Sequence, residues 1–124
     1  MSRILIVASN SDVRSSLRRL FEADPEFTVC VEAGETAEAI KKAQKLQPGL
    51  IILDESLPLM NGYEATQALR SVLPRIPLFL LVDQHNFEGE AEALSRGADA
   101  VFTKGEDLTL LISNARLVCS TEQS

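Results

Sequence analysis

The stretch that decides the fold is LIILDESLPLMNG, which runs from Leu50 to Gly62. Its first four residues are Leu and Ile, and such an unbroken apolar run predicts a short strand that is buried on both faces, as in a parallel sheet. Asp54 follows this strand directly. The residues from Glu55 to Asn61 predict a loop, and a helix is predicted to begin at Gly62.

The same unit, an apolar strand followed by a loop and an amphipathic helix, occurs along the whole chain. Strands are predicted over residues 3–8, 27–31, 50–53, 78–82 and 100–103. Helices are predicted over residues 13–21, 36–46, 62–73, 88–96 and 107–118, with a disordered tail over 119–124. Arg14, Arg18 and Arg19 are expected on the outer face of the first helix. Five strands that alternate with helices predict an α/β fold with parallel crossovers and helices on both faces of the sheet.

Length and composition limit the classes of function. The chain has 124 residues, 45% of them hydrophobic, which suits one compact domain. A net charge of −6 argues against direct binding of a nucleic-acid backbone. No apolar run is long enough to span a membrane and no leader is present, so a cytoplasmic location is predicted. Cys30 and Cys119 fit no metal spacing, and Cys30 is expected to be a small buried side chain.

Polar residues follow the predicted strands at the edge where doubly wound sheets bind ligands. These residues are Ser9, Asn10, Asp54, Asp83 and Lys104. A carboxylate that closes an apolar strand needs a partner, and Lys104 is placed to provide one. One interpretation is an acceptor carboxylate with a cation for incoming phosphoryl oxygens. The other is a structural ion pair, which these two residues alone favour.

The wider sequence adds a resemblance to a known family. Residues 50–62 resemble the central signature of bacterial response-regulator receiver domains: an apolar strand, an Asp, three residues, a Pro and a Gly that opens the next helix. Residues 97–104 resemble the fifth-strand signature of that family, residues 77–81 its fourth strand, and residues 3–7 with 13–14 its opening. The likeness covers essentially the whole chain. It is greatest for receivers that precede a helix-turn-helix output domain, of which the stretch GYEAT at residues 62–66 is typical.

The resemblance implies a flavodoxin-like, doubly wound sheet of five parallel strands in the order 2-1-3-4-5, with five helices. It implies one receiver domain over residues 1–124, which in longer relatives continues into an output domain. Asp54 would accept a phosphoryl group from a histidine kinase or a small phosphodonor, and Lys104 would pair with the phosphoryl oxygens. Mg²⁺ would lie between Asp54, the carbonyl of Ser56 and an acidic pair at the end of the first strand.

The resemblance also indicates the partners. An output domain or a regulatory protein would bind the face formed by the fourth helix, the fifth strand and the fifth helix, and a homodimer is left open. No nucleic acid or membrane is expected to bind this domain directly. No enzymatic activity is expected beyond self-phosphorylation from a phosphodonor. The glycine-rich loops that bind flavin or nucleotide phosphates are absent from the sequence, so neither cofactor is expected.

Several positions depart from the pattern of the family. The acidic pair belongs at Ala8 and Ser9, and neither is a carboxylate. Weak Mg²⁺ binding is therefore predicted, with the Ser9 hydroxyl as a poor ligand. Asp83 is a better substitute acid than Asp12, which is expected to begin the first helix, although a solvated loop carboxylate is the preferred interpretation of Asp83.

The positions that switch the family between its two states are also changed. The switch hydroxyl belongs at Val82, which cannot donate a hydrogen bond, and the switch aromatic belongs at Val101. Phe102 cannot replace that ring because neighbouring strand residues point to opposite faces. The sequence predicts a degenerate receiver whose output depends little on phosphorylation. The alternative is a pseudo-receiver that acts only as a protein-interaction module.

Overall fold

The computed structural model describes residues 2–106 and 108–123, with every side chain in those ranges except those of residues 30 and 120–123. The strands of the described chain are β1 (Ser2–Val7), β2 (Phe27–Ala33), β3 (Leu50–Asp54), β4 (Leu78–Val82) and β5 (Ala100–Thr103). Its helices are α1 (Ser11–Glu22), α2 (Thr36–Leu46), α3 (Gly62–Val72), α4 (Phe87–Ser95) and α5 (Leu108–Gln123).

The strands form one parallel sheet in the order β2-β1-β3-β4-β5. Every residue of β3 and β4 is buried, because these central strands are covered on both faces, and this explains their unbroken apolar sequences. The predicted α/β class, strand order and flavodoxin-like topology are confirmed.

Two hydrophobic layers hold the helices against the sheet. On one face, Ile4, Ile6 and Phe79 pack with residues of α1 and α5. On the other face, Leu5 and Leu80 pack with residues of α2, α3 and α4. Successive residues of a strand point to opposite faces, so each central strand contributes to both layers. Both layers end at the carboxyl edge of the sheet, where the polar strand-end residues lie.

Asparagine caps position the helices that begin near this edge. Asn10 accepts bonds from two backbone N–H groups in the first turn of α1. Asn61 and Glu64 form a reciprocal capping box at the start of α3. Asn86 accepts a bond from the N–H of Gly89 at the start of α4. Each cap fixes the point at which a loop of this edge turns into a helix.

The structure differs from the predicted boundaries at several places. Helix α5 continues past Val118 to Gln123 and Cys119 is buried, so the predicted tail does not begin at Cys119. The helix was predicted shorter because its last turns are polar, whereas Cys119 packs into the layer beneath α1 and α5. Asp107, predicted to begin this helix, and the side chain of Cys30 lie outside the described parts.

The arginines of α1 are placed differently from the prediction. Arg19 is exposed as expected. Arg14 and Arg18 instead bind the carboxylate of Glu32 on β2, at 3.2 and 2.6 Å. Long guanidinium side chains reach from the helix over the neighbouring strand, where a carboxylate needs a counter-ion.

Candidate functional site

Asp54 closes β3 at the carboxyl edge of the sheet and is 1% exposed. The Nζ of Lys104, the residue after β5, lies 2.7 Å from Oδ1 of Asp54. Because β4 separates β3 from β5, the Lys104 side chain crosses the end of β4 to make this contact. The backbone N–H of Ser56 donates a longer bond, 3.3 Å, to the same Oδ1. The predicted contact between Asp54 and Lys104 is confirmed.

Asp83, the first residue after β4, also binds Lys104, with its Oδ1 2.8 Å from Nζ. The backbone N–H of Asp83 donates a hydrogen bond to the carboxylate of Glu55, which fixes the start of this loop. Asp83 is largely exposed, as expected for a solvated loop carboxylate, but its pairing with Lys104 was not predicted. The lysine that crosses the end of β4 passes within reach of the residue that follows β4.

Two opposing effects act on the charge of Lys104. Burial lowers the pKa of its ammonium group, but the hydrogen bonds to Asp54 and Asp83 and the negative charges of these two carboxylates together raise it by more. The pKa of Lys104 therefore lies above its ordinary value. Lys104 is a cation shared by two carboxylates, one buried and one largely exposed.

The end of β1 forms the other side of the site. The hydroxyl of Ser9 donates a hydrogen bond to the carbonyl of Ser56, at 3.0 Å. The guanidinium of Arg14 donates to the carbonyls of Ala8 and Ser9, at 2.5 and 3.2 Å. The Ser9 hydroxyl thus joins the loop after β1 directly to the loop after β3, while Arg14 joins the end of β1 to α1.

Val82 and Val101 lie on the face of the sheet that is covered by α3 and α4. Together with Tyr63 and Gly89 they line a small cavity of about 50 Å³ beneath α4. Phe102 packs on the opposite face against Phe79, with ring centroids 5.2 Å apart. The expectation that Phe102 and Val101 point to opposite faces of the sheet is confirmed.

Tyr63 is a residue that the sequence analysis did not assign to this region. Its ring packs against the same layer as Val101, and its hydroxyl lies 2.6 Å from the point where a side chain at Gly89 would begin. The only sequence signal was an aromatic residue directly after the Gly that opens α3. An aromatic ring is therefore present beside α4, but it comes from α3 rather than from β5.

Residues 4–116 match the family model described as the response regulator receiver domain. The chain belongs to this family. Its members are the receiver domains of two-component signalling systems. Within the described ranges, no helix has the length and apolar character needed to cross a bilayer.

Individual relatives of this receiver agree with that assignment. The nitrate/nitrite response regulator protein NarL of Escherichia coli is 36% identical over 117 residues, 90% of this chain and 53% of NarL. The transcriptional regulatory protein LnrK of Bacillus subtilis is 32% identical over 104 residues, 84% of this chain and 47% of LnrK. A LuxR-family response regulator from Aurantimonas superposes with a TM-score of 0.90 at 26% identity, covering 98% of this chain and 86% of that chain. The chain spans about half the length of the curated relatives it matches.

The residues of this receiver fit Mg²⁺ poorly. Mg²⁺ favours octahedral oxygen ligands that include one or two carboxylates. Ala8 and Ser9 supply no carboxylate, and the carbonyl of Ser56 accepts the Ser9 hydroxyl. Asp83 is turned toward Lys104 instead. Among the residues that the structure describes, no group of three or more His, Cys, Asp or Glu is placed to hold a metal ion.

The loop after Lys104 has its own conformation. Gly105 has φ +83°, in the left-handed region, with open space around it. Proline is restricted to φ near −65° and could not adopt this conformation. The glycine therefore allows the chain to turn directly after the lysine.

Proposed function

We propose that this chain is an atypical receiver in which Asp54 accepts a phosphoryl group slowly and in which signalling output depends little on that modification. The observation that carries the proposal is the 2.7 Å contact between the buried Asp54 and Lys104. It provides a carboxylate nucleophile with a cation already beside it. The phosphoryl group would come from a histidine kinase or from a small phosphodonor such as acetyl phosphate, which is consistent with a cytoplasmic location.

In the transfer, an oxygen of the Asp54 carboxylate forms a bond to phosphorus. The bond from phosphorus to the leaving group, a histidine nitrogen or an acetate oxygen, breaks at the same centre, and the leaving group keeps the electron pair. Lys104 donates hydrogen bonds to the phosphoryl oxygens. Transfer is slow because Ala8 and Ser9 offer no carboxylates for a cation that would neutralise the transferring group.

Coupling to output is weak for a separate reason. A receiver that switches through a hydroxyl at the end of β4 needs a hydrogen bond to the new phosphoryl group. Val82 cannot donate one, and Val101 has no ring to move in response. The face formed by α4, β5 and α5 therefore keeps nearly the same shape whether or not Asp54 is modified.

A second candidate is an interaction module in which Asp54 is never phosphorylated. The bond from Ser9 to Ser56 and the sharing of Lys104 by two carboxylates favour it, because these contacts join the loops without metal or phosphate. Partners would use the face of α4, β5 and α5. Phe87 there is 84% exposed, and Leu94 on the same helix is 46% exposed. An output domain, a regulatory protein or a second copy of the chain would suit such a surface better than nucleic acid or a membrane.

Incubation with acetyl phosphate and Mg²⁺, followed by intact-mass measurement, tests the first proposal. We expect a slowly formed phosphoryl adduct in the wild type and none in Asp54→Asn. No adduct under any condition would favour the interaction module, whereas rapid and complete modification would contradict a degenerate site. A Mg²⁺ titration without phosphate gives a second check, since tight binding would contradict the account of Ala8 and Ser9.

Binding of a signalling partner tests what the two candidates share, namely an output that depends little on phosphorylation. If Asp54→Ala leaves partner binding and signalling unchanged while the fold survives, output is independent of phosphorylation. If the variant abolishes them, phosphorylation of Asp54 controls the output.

A further inference from the structure

We propose that Asp83 is a positioning residue that competes with the incoming phosphoryl group for the ammonium of Lys104, and that it thereby slows phosphorylation of Asp54. This inference rests on the proposed function, since it concerns the rate at which Asp54 accepts a phosphoryl group. Asp83 acts through Lys104 and not by contact with the transferring group.

The geometry of the ammonium group supports this role. The Nζ of Lys104 lies 2.7 Å from Oδ1 of Asp54 and 2.8 Å from Oδ1 of Asp83. An ammonium has three N–H donors, so two of them point at carboxylates before any phosphodonor arrives. The lysine is therefore already occupied by a ligand that the transfer reaction does not consume.

The backbone holds Asp83 in this position. Its N–H donates to the carboxylate of Glu55, and the N–H of Lys104 donates to the carbonyl of Val82, at 2.9 Å. The ends of β4 and β5 are thus joined at the residues next to the ion pair. The side chain of Asp83 is 64% exposed but starts from a fixed point opposite the ammonium.

The reaction places a new anion beside the ammonium of Lys104. When acetyl phosphate reacts, an Asp54 oxygen bonds to phosphorus, the phosphorus–oxygen bond to acetate breaks, and acetate leaves with the electron pair. The phosphoryl group on Asp54 then carries up to two negative charges that need the ammonium. Asp83 remains beside it as a rival anion, so part of the stabilisation that Lys104 offers the transition state is withheld.

Substitution of Asp83 should change the rate of Asp54 phosphorylation while leaving the free energy of unfolding nearly unchanged. A largely exposed carboxylate contributes little to folding through an ion pair. The free energy of unfolding of Asp83→Asn should therefore be close to that of the wild type. The rate of phosphorylation should rise because the ammonium is released to the phosphoryl oxygens. We expect an increase of about three- to tenfold, the lower end reflecting the exposure of Asp83 to water.

The experiment measures the rate of adduct formation by intact mass, with acetyl phosphate and Mg²⁺, in the full chain. Asp83→Asn is compared with the wild type and with Glu88→Gln, which removes the same charge from the exposed start of α4. The same substitution is then made in a Lys104→Ala background and followed for longer times. Because Asp83 acts through Lys104, its removal should have no effect once the lysine is gone.

Each outcome decides between distinct explanations. The proposal is supported if Asp83→Asn forms the adduct faster than the wild type and Glu88→Gln forms it at the wild-type rate. It also requires that Asp83→Asn does not change the rate in the Lys104→Ala background. A gain that persists without Lys104 shows direct repulsion of the donor and overturns it, and so does an Asp83→Asn rate equal to that of the wild type. If no variant forms an adduct, the proposed function of Asp54 fails and the role of Asp83 falls with it.

Discussion

Lys104→Met removes the ammonium group while keeping an unbranched apolar stem, and it should destabilise the fold strongly. The side chain of Asp54 is 2% exposed, so the variant leaves a buried carboxylate without its cation. Breaking a fully buried ion pair costs about 3–5 kcal/mol. Because the Lys104 side chain is 24% exposed and water can reach the vacated space, we expect about 2–3 kcal/mol, just below that range.

Asp54→Asn should cost less than Lys104→Met, because Lys104 keeps Asp83 as a partner at 2.8 Å. The double variant should recover most of the loss, since it leaves no uncompensated buried charge. Urea titrations of the three variants give the free energies of unfolding. For a chain of this length, the loss in Lys104→Met corresponds to a decrease in Tm of about 10 °C.

The comparison among the variants is the most discriminating part of this test. Equal losses in the free energy of unfolding in Lys104→Met and Asp54→Asn would show that the contact with Asp83 does not stabilise Lys104. A Lys104→Met protein as stable as the wild type would show that Asp54 does not depend on this cation, and the account of the site would then be wrong.

Three further predictions concern other parts of the fold. Gly89→Ala should destabilise the protein despite the better helix propensity of alanine, because the new Cβ would lie 2.6 Å from the Tyr63 hydroxyl. Thermal unfolding in a Tyr63→Phe background should show the loss relieved. The pKa of Asp24 is lowered, first by the hydrogen bond from the N–H of Glu26 and then by Arg116. The stability that the ionised Asp24 contributes to the fold is therefore present above the unfolded pKa of about 3.9 and lost as pH falls through the lower folded pKa. Asp24→Asn should accordingly be destabilised at pH 7, and in urea titrations its difference from the wild type should shrink as pH falls below about 3.9. The guanidinium of Arg70 binds four backbone carbonyls and a carboxylate, so Arg70→Met should lower the free energy of unfolding by about 2–4 kcal/mol.

The sequence was sufficient for the architecture because the pattern is strongly periodic. The apolar runs that became β3 and β4 lie in the centre of the sheet, buried on both faces, and only such strands are apolar at every position. The end of α5 was missed because its last turns carry no apolar periodicity, and burial of Cys119 depends on packing that the local sequence does not encode.

The candidate site was only partly predictable. The strand ends placed Asp54 and Lys104 at one edge, because parallel strands all end on the same side. The contact of Asp83 with Lys104 was not predictable, since it depends on the path of one side chain over β4. The bond from Ser9 to Ser56 likewise depends on the relative height of two loops, which sequence spacing does not determine.

The residues of the receiver pattern that are retained at this site and those that are replaced differ in whether the fold itself requires them. A carboxylate at the end of a buried strand requires a counter-ion whatever its function, so Asp54 and Lys104 stabilise each other even without phosphotransfer. A serine at position 9 or a valine at position 82 carries no such requirement, because either fits the fold without a charged partner. The Asp–Lys pair would therefore be retained under either of the two candidate functions. Under the proposed function, the residues around the pair, above all Asp83 and Ser9, would determine how readily the buried carboxylate reacts.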